Sequence, residues 1–165
     1  ETAPNDAIII ASGTTVLAFA RCIPPEAQLT VLTSAMNVAM ALLNCQQVEV
    51  IQLGGIVRHT SSSVTGEYAL RMLENFSGTK LFLGVDGIDL KYGLTTTNFM
   101  EASVNRAMID AAQKIIVLTD SSKFGRRGFG KICELDAVDQ IITDSGVSPK
   151  VVRELEELGI KVSIV

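Results

Sequence analysis

The sequence predicts an α/β protein, a three-layer α/β/α sandwich around a mostly parallel sheet. Three observations carry that expectation. Short apolar runs rich in β-branched residues recur along the chain, helical periodicity fills the stretches between most of them, and small polar residues follow five of the runs.

The runs are AIII (7–10), LTVLT (29–33), VEVIQL (48–53), LFLGV (81–85), IIVLT (115–119), QIIT (140–143) and IKVSIV (160–165). They are nearly unbroken, as strands are when both faces of a parallel sheet are covered and no solvent face demands alternation. Between them, Val38, Leu42 and Cys45 repeat at i, i+4 and i+7, as do Val104, Met108 and Ala111, and then Val151, Leu155 and Leu158. Each set draws one apolar stripe. The last helix is punctuated by Ser148 as N-cap, Pro149 in the first turn and Gly159 just past the end. Strand then helix, repeated with right-handed crossovers, builds the sandwich.

Length and composition bound the rest. At 165 residues the chain reads as one domain spanning 1–165, long enough to bury roughly two-thirds of its unfolded surface. A hydrophobic content of 47% with 19% charged residues excludes a disordered chain. No apolar run approaches the ~18 residues of a membrane span, and no signal peptide opens the chain, so a soluble, cytoplasmic protein without a membrane partner is expected. A net charge of -4 and a pI near 5.0 argue against a grip on a nucleic-acid backbone. DNA would be held by another domain.

Cys22, Cys45 and Cys133 are odd in number, far apart and without a CxxC pair, which points to neither a disulfide framework nor a zinc site. No metal and no cofactor are expected, and a reducing cytosol fits. The single histidine, His59, leaves little material for a Ser-His-Asp relay. The first strand begins about seven residues from Glu1, which reads as a piece of a longer protein.

In an open parallel sheet, ligands bind beyond the carboxyl ends of the strands. After the first strand come Ser12, Gly13, Thr14 and Thr15. The glycine permits close backbone approach, while the N–H groups and dipole of the new helix attract an anion; alternatively, Ser12 or Thr14 caps the helix. Ser34 and Asn37 follow the second strand, and Gly54 and Gly55 open GGIVRH after the third, where a cap and a tight turn are the competing readings.

In GVDGID (84–89), Asp86, followed by Gly87, can accept hydrogen bonds from hydroxyls, although Asp before Gly is also common turn chemistry. YGLTTTNFMEA (92–102) brings three threonines, Thr95, Thr96 and Thr97, with Asn98 and Glu101 to the head of a helix; Asn98 and Glu101 form a capping box, or Glu101 faces the ligand. TDSSKFGRRGFGK (119–131) contributes Lys123, with Arg126 and Arg127 read as a solvated, mobile loop. Five strand ends thus furnish hydroxyls, carboxylates, glycines and one lysine, with almost nothing aromatic for a base to stack on. A small, hydroxylated, anionic ligand such as a sugar phosphate suits that lining.

The ordered set SGTT (12–15), LTVLT with Asn37, LGG (53–55), LGVDGID (83–89), GLTT (93–96), EA (101–102), RAMI (106–109), DSSKFG (120–125) and IITD (141–144) resembles the C-terminal effector-sensing domain of DeoR-type bacterial transcription regulators. The resemblance covers nearly the full chain. It implies a sugar-isomerase-like α/β fold that binds a phosphorylated sugar, preceded in the intact repressor by a winged helix-turn-helix. It also implies that Ser12 to Thr15 hold the phosphate, with Asp86, Thr95, Thr96, Glu101 and Lys123 around the sugar. Two positions depart from the family's pattern, Ala11 where an aspartate is common and Ser34 where an asparagine is usual, and both remove polar groups beside the implied pocket. MNVAMALL and VNRAM look like the subgroup that regulates amino-sugar or galactosamine use.

Two other classes compete. The implied fold is also similar to ribose-5-phosphate isomerase, where a general base and a charge on the enediolate are required; Glu101 and Lys123 could serve. GLTTTN nevertheless replaces the lysine- and glycine-rich segment of those enzymes, so binding without turnover, with no catalytic residue, is the preferred reading. The remaining class is a pure oligomerisation module, and a homo-oligomer is expected in either case.

Overall fold

The computed structural model describes residues 3–165. In chain order the strands are β1 (Asp6–Ile10), β2 (Leu29–Thr33), β3 (Val48–Gln52), a hairpin of β4 (Ile56–Arg58) and β5 (Ser63–Thr65), β6 (Lys80–Gly84), β7 (Gly87–Asp89), β8 (Gly93–Thr96), β9 (Ile115–Leu118), β10 (Gly130–Cys133), β11 (Gln140–Thr143) and β12 (Lys161–Ile164). The helices are α1 (Thr14–Arg21), α2 (Met36–Leu42), α3 (Glu67–Leu73), α4 (Phe99–Asp110) and α5 (Pro149–Glu157).

All seven apolar runs are strands of one sheet, ordered β12-β11-β9-β6-β1-β2-β3. Every ladder in it is parallel. Because side chains alternate along a strand, β1 feeds two cores at once. Ile9 packs with residues of α3, α4 and α5, including Leu73, Met108 and Leu155. Ile8 and Ile10 pack with Val16 and Ala20 of α1 and Val38 and Leu42 of α2. The result is a three-layer sandwich with α1 and α2 on one face and α3, α4 and α5 on the other. Each of the three buried isoleucines contributes about 1.5–3 kcal/mol of transfer free energy.

The edge strands β3 and β12 are not covered on both faces, and residues such as Glu49, Gln52 and Lys161 are exposed along them. Charged side chains there blunt strand edges that would otherwise invite pairing. Ser148 caps α5 by accepting from the Val151 N–H at 3.4 Å, and Gly159 follows the helix at φ +84°. Leu158 departs from the predicted stripe: it lies at the C-cap and is 58% exposed, because the helix ends before its turn reaches the core.

Periodicity did not reveal two small antiparallel sheets, β10-β8-β7 and β4-β5. Their three- and four-residue strands are too short to show a period. The larger contributes Ile88, Leu94 and Ile132 to the core beside α4. All three cysteines are free, and burial, aided by Asp136 and Glu134, pushes the Cys133 thiol up to about 12. Among the described residues no helix is long and apolar enough to cross a membrane.

At the amino end of the central strand pair, Lys80 donates to Asp6 at 2.6 Å. This bond foremost, with the Ala3 N–H at 2.8 Å, holds the Asp6 carboxyl below its ordinary 3.8. A lowered folded-state value contributes stability that is present above the unfolded value and lost as pH falls through the folded one. Lys80→Met is therefore expected to cost about 1 kcal/mol at neutral pH. In urea titrations the gap from the parent should close as pH falls below about 4; a gap that stays constant would contradict this role for Asp6.

Candidate functional site

After β1 the chain turns to one face of the sheet and after β6 to the other, so a crevice opens at the carboxyl ends of these neighbouring strands. Two glycines make the corner there. Gly13 is the N-cap of α1 at φ +138°, a conformation that favours glycine. Gly84 ends β6 so close to it that an added Cβ would lie 2.8 Å from the Ser12 carbonyl oxygen and 2.9 Å from Val16 Cγ2. No side chain caps α1. Neither Ser12 nor Thr14 therefore fills the capping role, so no side chain takes up the first-turn N–H groups of a helix whose first residues line the crevice.

The crevice is a cavity of about 390 Å³. Ser12, Gly13, Thr14 and Thr15 form one wall, and Asn37 at the start of α2 adjoins them. Asp86 and Thr96 come from beyond β6 and from β8, Glu101 from α4, and Lys123 from the turn after β9. Nine of the fourteen residues expected from the sequence thus meet around one space. Half of the eighteen lining residues are Ser or Thr, and none is aromatic, so the cavity has hydrogen-bonding groups for hydroxyls and no face for stacking a base.

Asp86 Oδ2 accepts from Thr96 Oγ1 at 2.8 Å and from the Thr97 N–H at 3.1 Å. Asn98 caps α4, its Oδ1 accepting from the N–H groups of Met100 and Glu101 at 3.0 and 3.1 Å. Glu101 does not close a reciprocal box: its Oε1 accepts from Ser63 Oγ at 3.3 Å and lies 3.7 Å from Arg58 Nε. Lys123 sits in a one-turn helix held by two carboxylates. Asp120 accepts from the Ser122 N–H at 2.9 Å and Asp144 from the Ser121 N–H at 2.7 Å. The Ser122 hydroxyl foremost holds the Asp120 carboxyl below its ordinary value, and the Ser121 N–H does the same for Asp144.

Five expected residues lie off the cavity. Ser34 is buried and offers its carbonyl to the Val64 N–H at 2.9 Å, joining the hairpin to β2. Gly54 donates to the Met72 sulfur at 3.4 Å, and Gly55 packs against the Thr65 carbonyl. Gly87 packs against the Arg126 carbonyl, and the buried Thr95 hydroxyl accepts from the Gly128 N–H at 2.7 Å. These contacts also revise the picture of a mobile Arg126–Arg127 loop. The loop is anchored by Gly128, by the Gly125 N–H on the Ile88 carbonyl, and by Arg127, which donates to Asp89 at 2.8 Å beside the Tyr92 ring. Arg127 foremost holds the Asp89 carboxyl well below the usual carboxylate range.

Thr60, Ser61 and Ser62 in the hairpin turn, with Asn105 and Thr119, line the cavity without having been expected there, and Thr97, the third threonine of YGLTTTN, joins them. A signal existed for the first three, since four consecutive hydroxyl residues, 60–63, follow Arg58 and His59 directly. Ser62 holds φ +49°, uncommon outside glycine, in the turn that faces the cavity.

The crowding at the corner is testable by substitution. Gly84→Ala should destabilise the protein by about 1–3 kcal/mol, because its Cβ displaces backbone. Gly54→Ala, whose Cβ meets only Met72 Sδ at 3.9 Å, should change stability by less than about 0.5 kcal/mol. Equal effects in chemical denaturation would show that the Gly13–Gly84 approach is not tight.

The sequence profile described as DeoR C terminal sensor domain matches residues 2–145. A protein of Escherichia coli O157:H7 that carries the name of aga operon transcriptional repressor is 41% identical over 162 residues, 98% of this chain and 60% of that protein. The HTH-type transcriptional regulator GlpR of Haloferax volcanii is 32% identical over 98% of this chain and 63% of its own length. The HTH-type transcriptional repressor GlcR of Bacillus subtilis is 32% identical over 85% of this chain and 54% of its length. The chain therefore spans about three-fifths of the first relatives it matches. Among solved structures, ribose 5-phosphate isomerase A from Neisseria gonorrhoeae superposes with TM-score 0.51 at 14% identity, covering 76% of this chain and 48% of that one. The eIF2B beta chain of Chaetomium thermophilum gives TM-score 0.54 at 14% identity over 85% of this chain and 44% of that one. At such identity the likeness is one of fold.

Proposed function

This chain belongs to the DeoR C-terminal sensor domain family, and on that premise we propose that it binds a phosphorylated sugar on behalf of a transcriptional repressor. The observation that carries the reading is the uncapped α1 terminus opening into a hydroxyl-rich cavity with Lys123 on its wall. The phosphate docks on the N–H groups and hydroxyls of Ser12 to Thr15, where the partial positive charge of the helix favours an anion. Asp86, Thr96 and Glu101 accept from or donate to the sugar hydroxyls.

Regulation is favoured over isomerisation because the sequence relatives carry regulator names, while the isomerases share the fold alone. In the intact protein a separate helix-turn-helix domain would contact DNA, and the whole would work in the cytoplasm. Couplings of ~1–3 kcal/mol between sensor and DNA-binding domain would change operator affinity by roughly 5- to 150-fold. A homo-oligomer belongs to the same reading; Met40 and Leu43, each 65% exposed at the end of α2, offer apolar surface for it.

Thermal-shift measurements with a panel of sugar phosphates, each paired with the unphosphorylated sugar, test the proposal. A ligand at a hundred times its Kd stabilises by about 2.7 kcal/mol, and only phosphorylated members should do so. Thr14→Val, which keeps the shape of the corner and removes one hydroxyl, should weaken the responding compound about tenfold. Gly13→Val, strained at φ +138°, should abolish the response. Equal shifts with sugar and sugar phosphate, or measurable aldose–ketose turnover, would overturn the reading.

A further inference from the structure

Arg58, the last residue of β4, stands behind the cavity wall and touches two residues that form it. Its Nη2 donates to Thr60 Oγ1 at 3.2 Å, and its Nε lies 3.7 Å from Glu101 Oε1. That Nε is buried and makes no hydrogen bond, so its charge is directed to Glu101. Glu101 is itself only 8% exposed and lines the same cavity as Asp86.

Two carboxylates in one small cavity oppose the entry of an anion unless cations offset them, and a carboxylate this enclosed is little screened by water. Lys123 supplies one cation inside the cavity and forms none of the ion pairs seen among the described residues. Glu101 is matched from outside the cavity by the guanidinium alone of those pairs.

Resting on the sugar-phosphate reading, we propose that Arg58 is a positioning residue that sets the charge the cavity accepts. By neutralising Glu101 from behind, it admits an anion at the α1 corner while leaving Glu101 oriented by Ser63 toward the cavity. Its bond to Thr60 ties the same charge to the hairpin turn. Arg58 contacts no ligand in this account. It acts through Glu101, and the two residues are coupled rather than additive.

Isothermal titration of the folded chain with inorganic phosphate at fixed ionic strength tests this, beginning with the unaltered protein. Arg58→Gln should weaken phosphate binding roughly five- to tenfold, whereas in an E101Q background the same change should alter affinity less than about twofold. Arg58→Lys, which keeps the charge, should retain most of the affinity. Unchanged binding in R58Q, or equal weakening in both backgrounds, would overturn the proposal, because Arg58 would then act on nothing or independently of Glu101. If R58Q does not fold, the R58Q/E101Q double variant carries the test: with both charges of the pair removed it should bind phosphate within about twofold of the unaltered chain, and a roughly five- to tenfold loss refutes the coupling. Absence of any phosphate response in the unaltered chain would instead overturn the sugar-phosphate reading on which this rests.

Discussion

The contact between Gly13 and Gly84 is the constraint from which the site descends. Two parallel strands that send their chains to opposite faces leave a crevice at their carboxyl ends, but a crevice alone binds nothing. Here the absence of a Cβ on Gly84 lets the β1–α1 corner settle against the end of β6, within reach of the Ser12 carbonyl. The glycine at the N-cap has no side chain with which to satisfy the helix it starts. The N–H groups that most helices turn inward to a Ser, Thr, Asp or Asn are thereby left to the cavity.

The remaining walls are fixed by hydrogen bonds made outside the cavity or along its rim. Asp86 is held by the Thr96 hydroxyl and the Thr97 N–H, so one carboxylate oxygen is committed to the protein. Lys123 owes its place to Asp120 and Asp144, which clamp the backbone of the turn that carries it. Those carboxylates are stabilised in the charged form by the bonds they accept, so the turn keeps its shape across the neutral range. The packing residues Thr95 and Gly87 anchor the loop of Arg126 and Arg127 away from the cavity.

How much of this was legible follows from the length of each signal. Strands such as β1 and β9 announce themselves because burial on two faces demands an unbroken apolar run. Ser148, Pro149 and Gly159 mark a helix because each does one local job. The nine expected residues that meet at the cavity sit just past a strand, at the end of one, or at the head of a helix that follows one, where topology alone puts them on one edge. Ser34, Gly54, Gly55, Gly87 and Thr95 sit at equivalent places in the chain, yet Gly87 and Thr95 belong to small strands, Ser34 and Gly55 are held against β5 and Gly54 against Met72 of α3, and strands of three or four residues carry no readable period. Thr60 to Ser62 were missed for the same reason, since without the hairpin nothing brings that turn to the sheet. Arg58 was illegible because its role depends on Glu101, forty-three positions later.

A frame shared at 14% identity with an isomerase and with eIF2B beta cannot by itself decide what happens inside it. The decision lies with side chains at the strand ends, and here they combine an open helix terminus, a lysine and two partly committed carboxylates. A sensor needs a further property, differential contact with its ligand in two arrangements. The cavity wall draws on rigid central strands through Ser12 and Gly84, and also on the turn of a hairpin that belongs to a separate two-stranded sheet. A molecule spanning both would contact a fixed part and a peripheral part at once, and its binding energy would depend on how the peripheral part is placed. The hairpin is tied to the frame by the Ser34–Val64 and Met36–Ser62 backbone bonds and by Glu101, so its turn is joined to α2 and α4 at once.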